Sequence, residues 1–191
     1  MDFLNFINPT YLLEKVIYWF KKPKLEIKFE YLLSVDNENN YCHLRRNTSF
    51  DGKLSWWFRI GIDNGGKQRI EECDVRVEKI EQIRDDGSNK TITTSPFFLH
   101  WANENTDNSR DIYPDSEVFC DVVFTVEGYD KLFIHHKSKH AGAGIPSVLD
   151  TGKYIFSIKL LGSNISPVKK QIQIEFDGHW DNLKMMLMQS L

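Results

Sequence analysis

The stretch that decides the fold is Ser55-Trp56-Trp57-Phe58-Arg59-Ile60-Gly61-Ile62-Asp63, then Asn64-Gly65-Gly66, then Ile70-Glu71-Glu72-Cys73-Asp74-Val75-Arg76-Val77-Glu78-Lys79-Ile80-Glu81-Gln82-Ile83. Two runs rich in β-branched and aromatic residues flank a turn whose Asn and Gly residues tolerate positive φ, which spells strand, turn, strand. The carboxylates of Glu71, Glu72, Asp74, Glu78 and Glu81 line the solvent side of the second run and read as a charged face that keeps a sheet edge from aggregating.

The same pattern continues in both directions. From Lys24, the residues Leu25, Ile27, Phe29, Tyr31 and Leu33 alternate with charged or small ones, as a half-buried strand requires. Further strands are expected at 41–46, 91–101, 118–126, 131–136, 153–161 and 168–176, about nine in all. Asp51-Gly52, Asp86-Gly87-Ser88, Glu127-Gly128 and Gly162-Ser163-Asn164 supply the turns. Many strands with almost no helix between them imply a sandwich or barrel rather than a βαβ fold. The expected fold is mainly β: one antiparallel sandwich over 24–178. An amphipathic N-terminal helix in 1–23 precedes it, and a tail or short C-terminal helix over 179–191 follows, the latter from the helical spacing of Leu183, Met186 and Leu187.

The segment from Trp57 to Gly66, followed by Cys73-Asp74-Val75-Arg76-Val77, resembles the adhesion-type immunoglobulin-like domains common in bacteria and archaea. Pro114-Asp115-Ser116-Glu117 before an apolar strand and Gly152-Lys153-Tyr154 opening another are similar to the same plan. The resemblance covers Lys24 to Asp177 and implies an immunoglobulin-like sandwich. It brings no catalytic residues, since such modules serve many binding and structural roles.

Composition narrows the function classes. With 191 residues, 41% apolar, 27% charged and 13% aromatic, the chain suits one globular domain. Against 27 acidic residues stand 24 basic ones, a net charge of −3, so no long-range field draws a phosphate backbone and nucleic acid is not an expected partner. Cys42, Cys73 and Cys120 are odd in number and far apart, which suits reduced, buried thiols better than a disulfide framework. The opening Met1-Asp2-Phe3-Leu4 has neither a basic n-region nor a small-residue cleavage site after its apolar part, so a cytoplasmic location is expected.

Asn8 as N-cap and Pro9 at the first helical position start a helix over 9–20, closed by Lys21-Lys22-Pro23. Leu12, Leu13, Val16, Trp19 and Phe20 share one side of it. That side is expected to pack on the sandwich or on a second copy; a competing reading lays it on an anionic membrane surface, the segment being too short to span a bilayer.

The sharpest polar feature is His135-His136-Lys137-Ser138-Lys139-His140-Ala141-Gly142-Ala143-Gly144. His135, His136, Lys137, Lys139 and His140 form the expected ligand- or anion-binding set, within a solvated, basic loop. No metal is expected there, because His135 and His136 point to opposite faces of a strand and no acidic ligand lies nearby in sequence. Neither a mononucleotide nor a dinucleotide fingerprint is met: no Lys-Ser/Thr follows the glycines, and Pro146 spoils a helix start. Trp56, Trp57, Trp101 and Trp180, with Tyr113 and Tyr129, read either as a stacking platform or, more simply, as core, with Trp56 and Trp57 on opposite faces. Cys42-His43 and Ser95 near His100 lack any local catalytic motif, and Asn103 to Asn108 has the oxygens of a calcium loop without its Gly and terminal Glu. The expected function is a non-enzymatic binding or assembly module without a cofactor, with a protein partner or self-association. The alternative is a small-ligand or metal-binding, even hydrolytic, domain using the His135–His140 loop, in which a pocket gathers His100, His135 or His140 with nearby aromatics.

Overall fold

The computed structural model describes residues 13, 22–30, 39–104, 106–137 and 144–188. They build two antiparallel sheets that share a core and do not close into a barrel. The first sheet has the order β1 (Leu25–Lys28), β3 (Lys53–Asn64), β9 (Ser116–Val126), β10 (Leu132–Ile134), β11 (Val148–Leu149), with β2 (Cys42–Asn47) also on β3 and β7 (His100–Trp101) also on β9. The second runs β14 (Lys184–Met188), β13 (Val168–Phe176), β12 (Gly152–Leu161), β4 (Ile70–Ile83), β5 (Asn89–Thr93), with β6 (Phe97–Phe98) and β8 (Arg110–Ile112) on β4.

The core lies where alternate side chains of the two sheets meet. Trp56, Phe58, Ile60 and Ile62 of β3 face Val75, Val77 and Ile80 of β4, Tyr154, Phe156, Ile158 and Leu160 of β12, and Ile172, Ile174 and Phe176 of β13 in one buried cluster. Each aliphatic or Phe side chain so buried contributes about 1.5–3 kcal/mol. β3 and β4 do not pair with each other: the Asn-Gly-Gly turn carries the chain from one sheet to the other. Asn64, fully buried, anchors this arch by donating from Nδ2 to the carbonyls of Gln68 and Ile112 at 2.8 and 3.0 Å and accepting from Gly66 N at 3.1 Å.

Two bulges break strict alternation. On β9, Val123 stands opposite Phe58 and Asp121 opposite Arg59, leaving Val122 as the extra residue. On β4, Val77 pairs with Ile158 and Lys79 with Ser157, leaving Glu78 extra, so Val77 and Ile80 both face the core although three positions apart.

Several expectations are corrected. The C-terminal segment is a strand, β14, paired with β13 from Gln171↔Met188 to Glu175↔Lys184. Leu183 and Met185 are buried at period two, so pairing with an open sheet edge overrides the helix propensity of Leu and Met. The expected strand 91–101 breaks at Ser95-Pro96, because Pro has no N–H to give a ladder. Phe97 and Phe98 then pair with β4, while His100 and Trp101 pair with β9, so this segment crosses between sheets. β4 is not an edge: β12 flanks it on one side and β5, β6 and β8 on the other, and its carboxylates cover an interior strand's outer face. The first strand ends at Lys28, and β8 and β11 are short strands that alternation alone did not mark. The N-terminal helix, with Leu12, Val16, Trp19 and Phe20, lies outside the described residues, apart from Leu13, which is 60% exposed. No helix among the described residues is long and apolar enough to cross a membrane.

All three cysteines are buried, and none is in a disulfide. Burial, and secondarily the Asp74 carboxylate, push the Cys73 thiol up to about 12, and burial with Asp121 raises Cys120 well above the ordinary range. Native protein at pH 8 is therefore expected to resist iodoacetamide, with all three thiols alkylated once denaturant is added; mass spectrometry of intact protein reads the difference, and a native adduct on Cys73 or Cys120 would contradict it.

Candidate functional site

The outer face of the first sheet should be polar if only the inner face served the core. Instead it carries a second buried cluster of Trp57, Phe124 and Val126, with Phe50 and Phe133 packed against it. The β9 bulge assembles this face. Arg59 and Trp57 lie two apart on β3, whereas Asp121 and Phe124 lie three apart on β9. Residues three apart in a regular strand point to opposite faces; the bulge at Val122 lets both of these point outward.

Asp121 is fully buried and holds two partners. Arg59 Nε donates to Oδ1 at 2.7 Å, and His135 Nδ1 lies 3.0 Å from Oδ2. Burial alone would raise the Asp121 carboxyl; the His135 hydrogen bond and the Arg59 charge outweigh it and hold the group below its ordinary value. The Arg59 side chain is only 5% exposed and also donates to Asn103 Oδ1 at 3.4 Å.

His135 is fixed from three sides. Its Nδ1 is taken by Asp121, its ring stacks on His100 at 4.5 Å and 15°, and its edge meets Trp57 at 5.1 Å. Its side chain remains 32% exposed, and Nε2 has no hydrogen-bond partner among the described residues. His100 is more enclosed: Nε2 lies 3.3 Å from Asp107 Oδ1, and Nδ1 lies 3.3 Å from the Trp101 carbonyl. The two rings come from β7 and the end of β10. They meet because His100 pairs with Asp121 across β9 while its N–H donates to the His135 carbonyl at 3.2 Å.

The aromatic rings beside this cluster pack on one another. Trp57 and Phe124 stack at 4.1 Å and 9°, Phe124 and Phe133 at 5.1 Å and 17°, and Phe50 meets Phe124, Phe133 and Tyr129 edge-on. Arg45 lies 3.5 Å above the Trp57 ring and Lys53 lies 4.7 Å above Tyr129. These faces are occupied, so the ladder is a wall that orients His135 and not a platform for stacking sugars or bases. Trp56 and Trp57 do face opposite sides, yet each is 2% exposed, because the outer face is packed too. Trp101 is buried, Trp180 packs partly buried against the core, and Tyr113 is exposed.

The remaining expected residues scatter. His136 faces Phe97 on the inner side, with Nε2 3.0 Å from Ser147 Oγ. A serine–histidine pair works in catalysis when another group holds Nδ1, and here Nδ1 is buried without a partner among the described residues. Lys137 is fully buried rather than solvated, its ammonium donating to the Asp74 carboxylate and to the Asn108 carbonyl at 2.8 Å. It ties the end of β10 to β4 and to the loop that carries Asn103 and Asp107. Lys139 and His140 lie outside the described residues. No group of three or more His, Cys, Asp or Glu among the described residues is arranged to hold a metal ion. An open cleft elsewhere, on the second sheet, is lined by Arg84, Lys153, Glu175 and Asp177, but Lys153 pairs with Glu175 at 3.2 Å and Asp177 accepts from His179 N and Asn182.

Arg59 and Asp121 were not singled out by sequence reasoning, and Asp107 was read only as part of the oxygen-rich run Asn103 to Asn108. The available signal was one charge in the middle of each apolar strand run, Arg59 between Phe58 and Ile60 and Asp121 between Cys120 and Val122, of opposite sign. Compared with known protein families, curated proteins and solved structures, the chain matches none.

Proposed function

We propose that the chain is a non-enzymatic binding module, an immunoglobulin-like sandwich acting in the cytoplasm, that recognises a protein partner through the outer face of its first sheet. The observation that carries the reading is His135. A buried carboxylate and two neighbouring rings lock its imidazole and leave one nitrogen at the surface, which is how a protein preorganises a single hydrogen-bonding contact. Three buried thiols outside any disulfide support a reducing compartment. Self-association or membrane attachment through Leu12, Leu13, Val16, Trp19 and Phe20 belongs to the same reading. Light scattering with the double substitution Val16→Asp and Phe20→Asp tests it, an unchanged mass and unchanged liposome binding counting against the helix.

A hydrolytic reading is favoured by one feature, the Asp121–His135 pair, which supplies the orienter and base of a hydrolytic site. No described Ser, Cys or Thr is hydrogen-bonded to His135 Nε2, so the base would act on water or on a ligand hydroxyl. Affinity capture with wild-type and His135→Ala protein separates the readings. The binding module predicts a partner retained by wild type and lost by the variant, with no turnover of p-nitrophenyl acetate or bis(p-nitrophenyl) phosphate that depends on His135. Turnover abolished by His135→Ala would replace the binding reading with the hydrolytic one.

A further inference from the structure

The strand registers of the second sheet place three cations side by side on its outer face. Lys159 of β12 stands directly opposite Arg76 of β4 and directly opposite Lys169 of β13. Like charges opposite one another across neighbouring strands are destabilising. Part of the row is balanced: Glu78, the bulge residue, pairs with Arg76 at 2.6 Å, and on the next rung Glu81 pairs with Lys79 at 2.7 Å. Lys159 and Lys169 have no ion pair among the described residues.

We propose that this row is a docking site for an acidic protein segment, whose carboxylates Lys159 and Lys169 receive. The chain carries a net charge of −3, yet here it sets two unbalanced ammonium groups beside a guanidinium, on a rigid base of nine consecutive β12–β13 pairs. Magnitudes choose the occupant. Strands lie about 4.8 Å apart, so the row spans about 10 Å, room for two or three charges. A nucleic-acid backbone is held by roughly 6–10 phosphate contacts, which this row cannot supply and the overall negative charge does not assist. Two carboxylates on one face of an extended peptide lie about 6.5–7 Å apart, a span that lysines on four-carbon stems meet without bidentate geometry. Ser157 and Gln171, on the adjoining rung, hydrogen-bond to each other, Gln171 Nε2 donating to Ser157 Oγ at 3.4 Å, and keep a hydroxyl proton and an amide oxygen for a peptide backbone. The site is independent of His135, which lies on the other sheet.

Fluorescence anisotropy with a labelled hexaglutamate peptide, at 20 and 150 mM salt, tests the proposal on the full chain. Wild type is expected to bind saturably and several-fold more weakly at the higher salt. Lys159→Gln with Lys169→Gln should weaken binding at least tenfold, while Lys67→Gln with Lys90→Gln, which removes the same charge elsewhere, should leave it within twofold. The exposed single variant Lys169→Gln should lose at least threefold, and Lys159→Gln should melt no lower than wild type because a repulsion has been relieved. Absence of saturable binding, equal losses in the two double variants, a lower melting temperature for Lys159→Gln, or a single-stranded 12-mer DNA bound as tightly as the peptide would each overturn it.

Discussion

Asp121→Ala is expected to lower the free energy of unfolding by about 3–5 kcal/mol, the range for removing one partner of a buried ion pair. The substitution leaves the Arg59 guanidinium, 5% exposed, without its carboxylate and frees His135 from its orienting acceptor. Arg59→Met combined with Asp121→Leu should restore most of the loss, because two apolar side chains of similar volume leave no charge to compensate. The acid limb carries the sign. The folded-state carboxyl lies below its ordinary value, so its contribution is complete above the unfolded range near ~4 and disappears as pH falls through the lowered folded value. The gap between wild type and Asp121→Ala should therefore be widest near neutral pH and should narrow in strong acid. Urea denaturation at several pH values measures all of this; a neutral-pH loss under 1 kcal/mol would mean that water, and not Asp121, solvates Arg59.

Inserting one alanine between Val123 and Phe124 is expected to have the larger effect, abolishing cooperative folding at 25 °C. Strand side chains alternate, so a residue added beyond the bulge turns Phe124 and Val126 inward and Thr125 outward, or else displaces the β3 register. Either outcome breaks the Trp57–Phe124 stack, and a displaced register also separates Arg59 from Asp121. Val122→Ala, which keeps the residue count, should cost only the ~1–3 kcal/mol of a truncated buried side chain. Near-UV circular dichroism and the sharpness of the urea transition distinguish the two. An insertion variant that unfolds cooperatively within 2 kcal/mol of wild type would show that β9 absorbs a second extra residue without turning Phe124.

The bulges mark the boundary of what the sequence states openly. Where hydrophobic residues fall at simple period two over long runs, as in β12 and β13, the strands lie where the pattern places them. Ile70–Ile83 was also found at its expected limits, and the spacing Val75, Val77, Ile80 already contains the one-residue slip that becomes the Glu78 bulge. β9 hides its slip, because Val122, Val123 and Phe124 are all apolar and either face suits them. β14 was missed because Leu and Met favour helix locally, and only the open edge of β13, invisible in one dimension, decides otherwise. The His100–His135 stack joins residues 35 positions apart through a shared neighbour, Asp121, on a third strand. The sequence displayed the imidazoles as candidates for one pocket, but not the buried carboxylate and guanidinium that hold them. Lys137 looked solvated because its sequence neighbours are polar; Asp74, which it meets, lies 63 positions earlier.

The pairing of β4 with β12 has a price in time. Ile83 waits for Lys153, roughly seventy residues later, before its ladder can form. At synthesis rates of about 5–20 residues per second, β4 emerges from the ribosome several seconds before the strand that completes this side of its ladder. During that interval the nascent chain presents an unpaired strand edge beside Val75, Val77 and Ile80, so its yield in a cell should track the supply of holdase chaperones more closely than the melting temperature of the finished protein.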